Sequence, residues 1–211
     1  MISDTLRNRI VAEIESGGDS SSLELDSHAD SPVVGSEALI IRTHYRKFGF
    51  NGFTPALVST TVDVVDTAIA YECEFIGKVI IMIIRNGFYL KEMNHNLLST
   101  LIMRLAGLEL NEQPKFMTRN PTTKHHSVYL KEKYIRLPLA IKAIVSFLPT
   151  RKPTQEEYLN IGTRLDLTSP FTEWDPHNPS YGISENCILY HYGNINSNIN
   201  TPEDPTVEIL Q

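Results

Sequence analysis

Asp26, His28 and Asp30 place two carboxylates and an imidazole within a short segment of the chain. Ahead of them, Leu23 and Leu25 alternate with polar neighbours, a pattern typical of a half-buried β-strand. Such a strand carries Asp26 to its end, where we expect the carboxylate to be partly shielded from water. Shielding shifts the pKa of a carboxyl group, and acid/base catalysis uses such groups. The first hypothesis is therefore acid/base chemistry at Asp26.

The spacing of these residues leaves three local structures open. If the strand continues, Asp26, His28 and Asp30 project from one face, because side chains in a strand repeat with period two. If the chain turns at Ser27 and His28, only Asp26 lies at the strand end. The third interpretation is an Asx-type turn formed by Asp26, Ser27 and Asp30, whose residue types are common in turns.

A metal site is a further hypothesis for the same residues. Carboxylate and imidazole ligands two residues apart on a strand can bind a divalent ion. His95, or the pair His125 and His126, could complete such a site. We favour a site without metal or cofactor, and we expect His125 and His126 to face solvent after a Pro-Thr-Thr turn.

The composition excludes several classes of protein. The chain has 211 residues, 41% of them hydrophobic, which is enough for one domain of ordinary size with a core. It has no apolar run of the roughly 18 residues that a membrane-spanning helix needs, and no secretory signal. Since the net charge is -6 and Lys and Arg are scattered, we expect neither nucleic acid nor membrane as a partner. Two distant cysteines, Cys73 and Cys187, predict neither a disulfide framework nor a zinc site, so we expect a cytoplasmic protein.

Residues 23–149 have the pattern of a mostly β domain. Dense β-branched and alternating residues predict strands at 37–42, 60–65, 68–72, 74–78, 79–85, 114–117, 126–130, 135–139 and 143–148. Helical spacing predicts one short helix at 96–105, ended by Gly107. Gly77 predicts a turn, and Asn86 with Gly87 predicts a hairpin turn. The basic, aromatic and glycine-containing residues 44–53 predict a mobile loop, with the alternative that Phe48, Phe50 and Phe53 pack into a core.

Two flanking regions differ from this domain. Residues 1–22 combine an amphipathic helix, predicted at 3–15, with a linker rich in Gly and Ser. Residues 150–211 are a Pro-rich C-terminal extension, which we expect to be an extended arm apart from a short helix at 154–159. We expect Trp174 to attach this arm to the domain.

The sequence Asp-Ser-His-Ala-Asp at residues 26–30 resembles the active-site strand of retropepsin-like aspartic proteases. Their motif is Asp-Ser/Thr-Gly followed by Ala and often Asp, and an Asp-Ser-His-Ala-Asp version is known in copia-type retrotransposon polyproteins. Three later blocks resemble the same protease region in the same order: residues 94–99, 147–154 and 173–176. The resemblance covers about residues 23–185, and the ordered set of four blocks is more specific than the motif alone.

This resemblance implies an all-β, retropepsin-like closed β-barrel with one short helix. Since the chain carries one such motif, it implies a homodimer in which Asp26 meets its symmetry mate. The two carboxylates would share a proton and a water to hydrolyse a polypeptide substrate. Ser27 would brace the pair across the two-fold axis, Asp30 would face the substrate backbone, and residues 48–61 would form a mobile flap.

Two residues depart from the family's pattern. His28 stands in place of a glycine that permits close approach of the backbone around the carboxylates. His95 stands where many members have an arginine that binds the carboxylate equivalent to Asp30. These departures support an alternative, a catalytically inactive protease-like domain that serves as a dimerisation or assembly module. The candidate site consists of a catalytic Asp26 and the supporting residues Ser27, His28, Ala29, Asp30 and His95.

Overall fold

The computed structural model describes residues 21–29, 31–50, 60–73, 77–142 and 144–169. Within these ranges the chain is mostly β, as the sequence predicts. The strands are β1 (Ser22–Asp26), β2 (Val33–Val34), β3 (Leu39–Phe50), β4 (Thr60–Cys73), β5 (Lys78–Tyr89), β6 (Asn96–Ser99), β7 (Glu109–Asn111), β8 (Ser127–Leu130), β9 (Ile135–Pro138), β10 (Ala140–Lys142), β11 (Val145–Pro149) and β12 (Arg164–Asp166). The helices are α1 (Thr100–Leu105), α2 (Gln155–Asn160) and two 3-10 helices, Lys115–Met117 and Lys131–Lys133.

The strands of the described ranges form two sheets. The larger follows the order β10-β11-β1-β6-β2-β5-β4-β3, and β12 also pairs with β5. In the smaller sheet β8 lies between β7 and β9. The strand that carries Asp26, β1, is an inner strand, antiparallel to β11 and parallel to β6. Both edges of β1 are therefore paired, which fixes the position of the strand end.

The expected closed barrel is wrong for the described residues. Closure requires the first and last strands of a sheet to pair with each other, whereas β10 and β3 lie at opposite ends of an open path. Each has features that disfavour further pairing. β10 is three residues long and ends in exposed residues. β3 carries exposed Arg42 and Lys47, and its register with β4 shifts twice.

The main core is formed by side chains from several strands of the large sheet and from α1. Leu23 of β1, Leu98 of β6 and Leu148 of β11 are all fully buried in one cluster with Met82 of β5 and Met103 of α1. The apolar run at the start of β5 is buried because the strand is paired on both edges and covered on both faces. The end of β1 is thus anchored to the largest cluster of apolar side chains in the described residues.

The hairpin turn predicted at Asn86 and Gly87 is wrong, since both residues lie inside β5. Val65 pairs with Gly87 while Thr67 pairs with Ile84, so β5 has one extra residue here and forms a bulge. Asn86 has a φ of 57°, a left-handed conformation that asparagine tolerates better than most residues. The Asn-Gly pair therefore forms a bulge within a strand and not a turn between two strands. The turn predicted at Gly77 is confirmed, with a φ of 59°.

Three other elements differ from the sequence expectations. Residues 44–50, expected in a mobile loop, continue β3 because they pair with β4, and the Phe48 ring lies 5.0 Å from that of Phe88. Residues 115–117, expected in a strand, form a 3-10 helix in which the Met117 amide donates to the Pro114 carbonyl. The predicted helix at 96–105 begins only at Thr100, because residues 96–99 pair with β1 as a strand.

The first part of the C-terminal extension joins the large sheet. Ala70 and Arg151 exchange two backbone hydrogen bonds, of 2.8 and 3.0 Å, and β12 pairs with residues 81–83 of β5. The short helix predicted at 154–159 is confirmed as α2. The predictions for a helix at 3–15, for the arm beyond residue 169 and for Trp174 lie outside the described residues. None of the helices in the described ranges combines the length and apolar character needed to cross a bilayer.

Candidate active site

Asp26 is the last residue of β1, and it marks a sharp change in burial. The preceding Leu25 is 7% exposed, whereas the side chain of Asp26 is 40% exposed. The backbone amide of His28 donates a 2.8 Å hydrogen bond to Asp26 Oδ1. One carboxylate oxygen is therefore fixed by the turn, and the described residues form no hydrogen bond to Oδ2. The group is oriented but can still be reached from solvent.

The turn decides between the local structures that the sequence left open. β1 ends at Asp26, and Ser27 and His28 form a turn, so the continued strand with three ionisable side chains on one face is wrong. The bond from the His28 amide back to Asp26 is the contact that defines an Asx-type turn. Asp26 alone lies at the strand end. Asp30 lies outside the described residues.

The His28 side chain stands beside this carboxylate and extends into solvent. It is 96% exposed. Its Nδ1 lies 3.2 Å from Ser27 Oγ and 3.8 Å from Asp26 Oδ1. Ser27 is also exposed, and Ala29 is half-buried. The imidazole thus lies on the side of Oδ1, the oxygen that the turn binds.

Two of the sequence blocks that accompany the motif lie on the two sides of β1. From residues 94–99, β6 pairs with β1 so that Ser99, which is 2% exposed, lies opposite Asp26. From residues 147–154, Leu148 pairs with Leu23. These blocks are far apart in sequence, and the fold brings them together at the strand that positions Asp26. The fourth block, residues 173–176, lies outside the described residues.

The segment that follows the turn is fastened to the start of β6. The Gly35 amide donates to Asn96 Oδ1 at 3.0 Å, and the Ser36 amide donates to the Met93 carbonyl at 2.8 Å. A Cβ at Gly35 would collide with the backbone of Met93 and His95. Gly35 is therefore needed for this close approach. Sequence reasoning missed the role of Asn96, which is fully buried.

His95 is half-buried, and its Nδ1 lies 3.1 Å from Asn94 Oδ1. The contact of His95 within the described residues is therefore with the side-chain amide of its neighbour Asn94. The resemblance implies a contact with Asp30, which lies outside the described residues. His126 differs from the expectation of solvent exposure, because it is 5% exposed and its Nε2 lies 2.9 Å from Ser146 Oγ. His126 directly precedes β8 of the smaller sheet, and this contact joins it to β11 of the larger sheet.

No metal site is found among the residues that the structure describes. They contain no group of three or more His, Cys, Asp and Glu side chains placed to bind an ion. The hypothesis of a site at Asp26 and His28 therefore lacks a third ligand within these residues, and Asp30 falls outside them.

Asp66 is the centre of a second charged cluster, which sequence reasoning missed. It is 3% exposed, and its Oδ1 lies 2.9 Å from His44 Nε2 and accepts from the Asn86 amide at 3.0 Å. Arg85 Nη1 is 3.9 Å from Asp66 Oδ2, and the same guanidinium donates to Asp166. Because the buried charge is satisfied, we interpret this cluster as a structural link between β3, β4, β5 and β12. The sequence does contain an indication of this cluster, because Asp66 is a carboxylate in the middle of a strongly apolar strand.

No protein-family model, curated protein or solved structure matches this chain.

Proposed function

We propose that this chain is a retropepsin-like aspartic endopeptidase that acts as a homodimer. Each copy would contribute one Asp26, and the two carboxylates would activate a water for peptide-bond hydrolysis. The resemblance suggests that the substrate is a polyprotein of a copia-type retrotransposon.

The observation that carries this proposal is the state of Asp26. The end of a doubly paired strand places the carboxylate, the His28 amide orients one oxygen at 2.8 Å, and 40% of the side chain remains exposed. A carboxylate that must meet its own copy needs these properties, since a buried one could not reach a partner. A freely rotating one could not hold a productive geometry. Two like carboxylates in close contact cannot both ionise, so they share a proton.

The chemistry divides between the two copies. The ionised Asp26 takes a proton from the water as the water oxygen bonds to the carbonyl carbon. The protonated Asp26 donates its proton to the carbonyl oxygen, which avoids a free oxyanion. The carbon–nitrogen bond then breaks as the leaving nitrogen takes a proton from the first Asp26, and the hydroxyl proton returns to the second. One shared proton remains on the pair, so the cycle can repeat.

The test is cleavage by the full chain and by D26N at roughly pH 5, where a carboxylate pair can share one proton. Peptide products from an unfolded test protein and from the chain itself would be identified by mass spectrometry. We expect D26N to reduce the rate at least about 100-fold, because it removes the acid/base group. An asparagine oxygen can still accept from the His28 amide, so the turn is preserved.

Asp63 provides the matched control, since it is an exposed carboxylate that pairs with Lys47 at 3.4 Å. D63N should cleave like the wild type. Cleavage by D26N at the wild-type rate would show that Asp26 is not the catalytic group and would overturn the proposal.

The inactive assembly module remains a second candidate because of one observation. The His28 side chain is 96% exposed and lies 3.8 Å from the carboxylate, in a position where the resembling family has no side chain. If the chain dimerises and neither wild type nor D26N cleaves any peptide, the module is the better description.

A further inference from the structure

We propose that His28 selects substrates with an acidic side chain next to the scissile bond. This inference rests on the proposed function and adds a substrate class to it. It follows from the position of the His28 imidazole, which faces solvent beside the carboxylate that must reach the substrate.

His28 lies close to the position that the scissile bond would occupy. A scissile carbonyl that reacts at Asp26 has to lie within hydrogen-bond range of its carboxylate. His28 Nδ1 is 3.8 Å from Asp26 Oδ1. Along an extended peptide, residues are separated by roughly 3.3 Å, so the side chains on either side of the scissile bond begin within a few ångströms of the imidazole. A long side chain such as that of glutamate can reach it.

The imidazole of His28 is accessible to a substrate. The His28 side chain is 96% exposed, and its described contacts at the site are Ser27 Oγ and Asp26. Nε2 forms no hydrogen bond with the described residues. This nitrogen is therefore available to a substrate, whereas the imidazole of His126 is buried against Ser146.

The chemistry of the imidazole also favours an acidic substrate residue. Two copies bring two His28 side chains to one pair of Asp26 carboxylates, which together carry a single negative charge when they share a proton. An imidazole N–H can donate to a substrate carboxylate, and a hydrogen bond to an ionised acceptor is stronger than one to a neutral acceptor. An acidic substrate residue is therefore favoured beside the scissile bond over a neutral one.

The experiment uses two peptides that carry a cleavage site found with the full chain and differ only by Glu or Gln beside the scissile bond. The ratio of kcat/KM for the Glu peptide to that for the Gln peptide is measured at roughly pH 5.5. We expect about a fivefold preference for Glu, the effect of one exposed contact to an ionised group. In H28Q the ratio should fall to about one, and in H28K it should persist, because lysine is a positively charged donor to the substrate carboxylate.

H125Q is the matched control, since it removes a histidine in the loop between the 3-10 helix Lys115–Met117 and β8, where Thr122 is its hydrogen-bond partner. Its ratio should equal that of the wild type. A general loss of turnover cancels in the ratio. If H28Q does not turn over at all, binding of the same two peptides to D26N and to D26N/H28Q by fluorescence anisotropy gives the comparison.

The outcomes separate the two proposals. A wild-type ratio of one or less, or an unchanged ratio in H28Q, overturns the role of His28 while cleavage itself still supports the endopeptidase. No cleavage of any peptide by the wild type overturns the endopeptidase, and with it this inference.

Discussion

His126 is a buried imidazole whose protonation the fold opposes. Burial lowers its pKa below the ordinary value of 6.5, the positive charge of Lys115 lowers it further, and Glu112 acts in the opposite direction. Its backbone φ of 51° is left-handed. The neutral ring lies 2.9 Å from Ser146 Oγ, and the Leu139 amide donates to the His126 carbonyl at 2.9 Å. Protonation of His126 is therefore unfavourable at the position where its side chain joins the two sheets.

This geometry predicts a loss of stability in mild acid. Because the pKa of His126 is lower in the folded chain than in the unfolded chain, the unfolded chain binds more protons as the pH falls below about 6.5, and stability decreases. H126N removes the titrating group, and asparagine tolerates a positive φ. We expect urea unfolding at pH 7.5 and at pH 5 to differ less in H126N than in the wild type. H125Q should keep the wild-type difference, and an equal difference in H126N would contradict the assignment.

Arg151 connects helix α2 to the large sheet. Its backbone pairs with Ala70, its Nε donates to Glu72 at 2.8 Å, and its other guanidinium nitrogens donate to both oxygens of Glu157. Glu157 also completes a capping box with Thr154 at the start of α2. The hydrogen bond from Arg151, followed by that from the Thr154 amide, lowers the pKa of Glu157 to about 2.

The contribution of this pair to stability should disappear at low pH. Since Glu157 has a lowered pKa, its stabilisation is present above its ordinary value of 4.5 and is lost as the pH falls towards 2. E157Q keeps a side chain that can cap the helix but loses the charge. We expect it to lower the free energy of unfolding by about 1 kcal/mol at pH 7, an estimate that allows for solvent screening.

The difference between E157Q and the wild type should shrink progressively below pH 4.5. The control is E156Q, which changes the exposed neighbour on the same helical turn and should have little effect. A difference that stays constant down to pH 2 would mean that the charge of Glu157 does not act through Arg151.

At the level of elements, the sequence pattern predicted the strands and helices whose formation depends on neighbouring residues. Alternation predicted β1, and the Thr154 to Glu157 spacing is that of the capping box that starts α2. The errors occur where a distant partner decides. Asn86 forms a bulge because Asp66 accepts its amide, and residues 44–50 form a strand because β4 pairs with them. In residues 115–117, Phe116 is the one side chain of a type enriched in strands, but it is 77% exposed and the segment forms a 3-10 helix.

In the candidate site, too, the sequence predicted the features that depend on neighbouring residues and missed those that depend on a single hydrogen bond or a distant partner. The sequence predicted that a strand delivers Asp26 to its end, since Leu23 and Leu25 reveal the buried face. It could not choose between a strand and a turn after Asp26, because one backbone hydrogen bond from His28 decides. It could not reveal that Asn96 fastens Gly35, since that contact spans 61 residues of sequence.

At the scale of the whole molecule, the proposed activity belongs to a pair of chains. One chain carries one Asp-Ser-His motif and a net charge of -6, so the proposed activity requires two copies to associate despite their mutual repulsion. Salt screens such repulsion over roughly 10 Å at 0.1 M. We therefore expect the activity per chain to rise with protein concentration and with moderate salt.

Mixing wild-type chains with D26N provides the sharpest measurement at this scale. If each active site needs Asp26 from both copies, an equal mixture refolded together leaves roughly a quarter of the dimers with two catalytic groups, as expected for a symmetric pair. Activity at a fixed total concentration should then fall to about a quarter of the wild-type value, whereas independent chains would retain about half. Mixing with E156Q, which keeps Asp26, should leave activity unchanged and shows that refolding itself causes no loss. A value near one half would place the complete site within a single chain, and the two-fold arrangement of Asp26 would have to be abandoned.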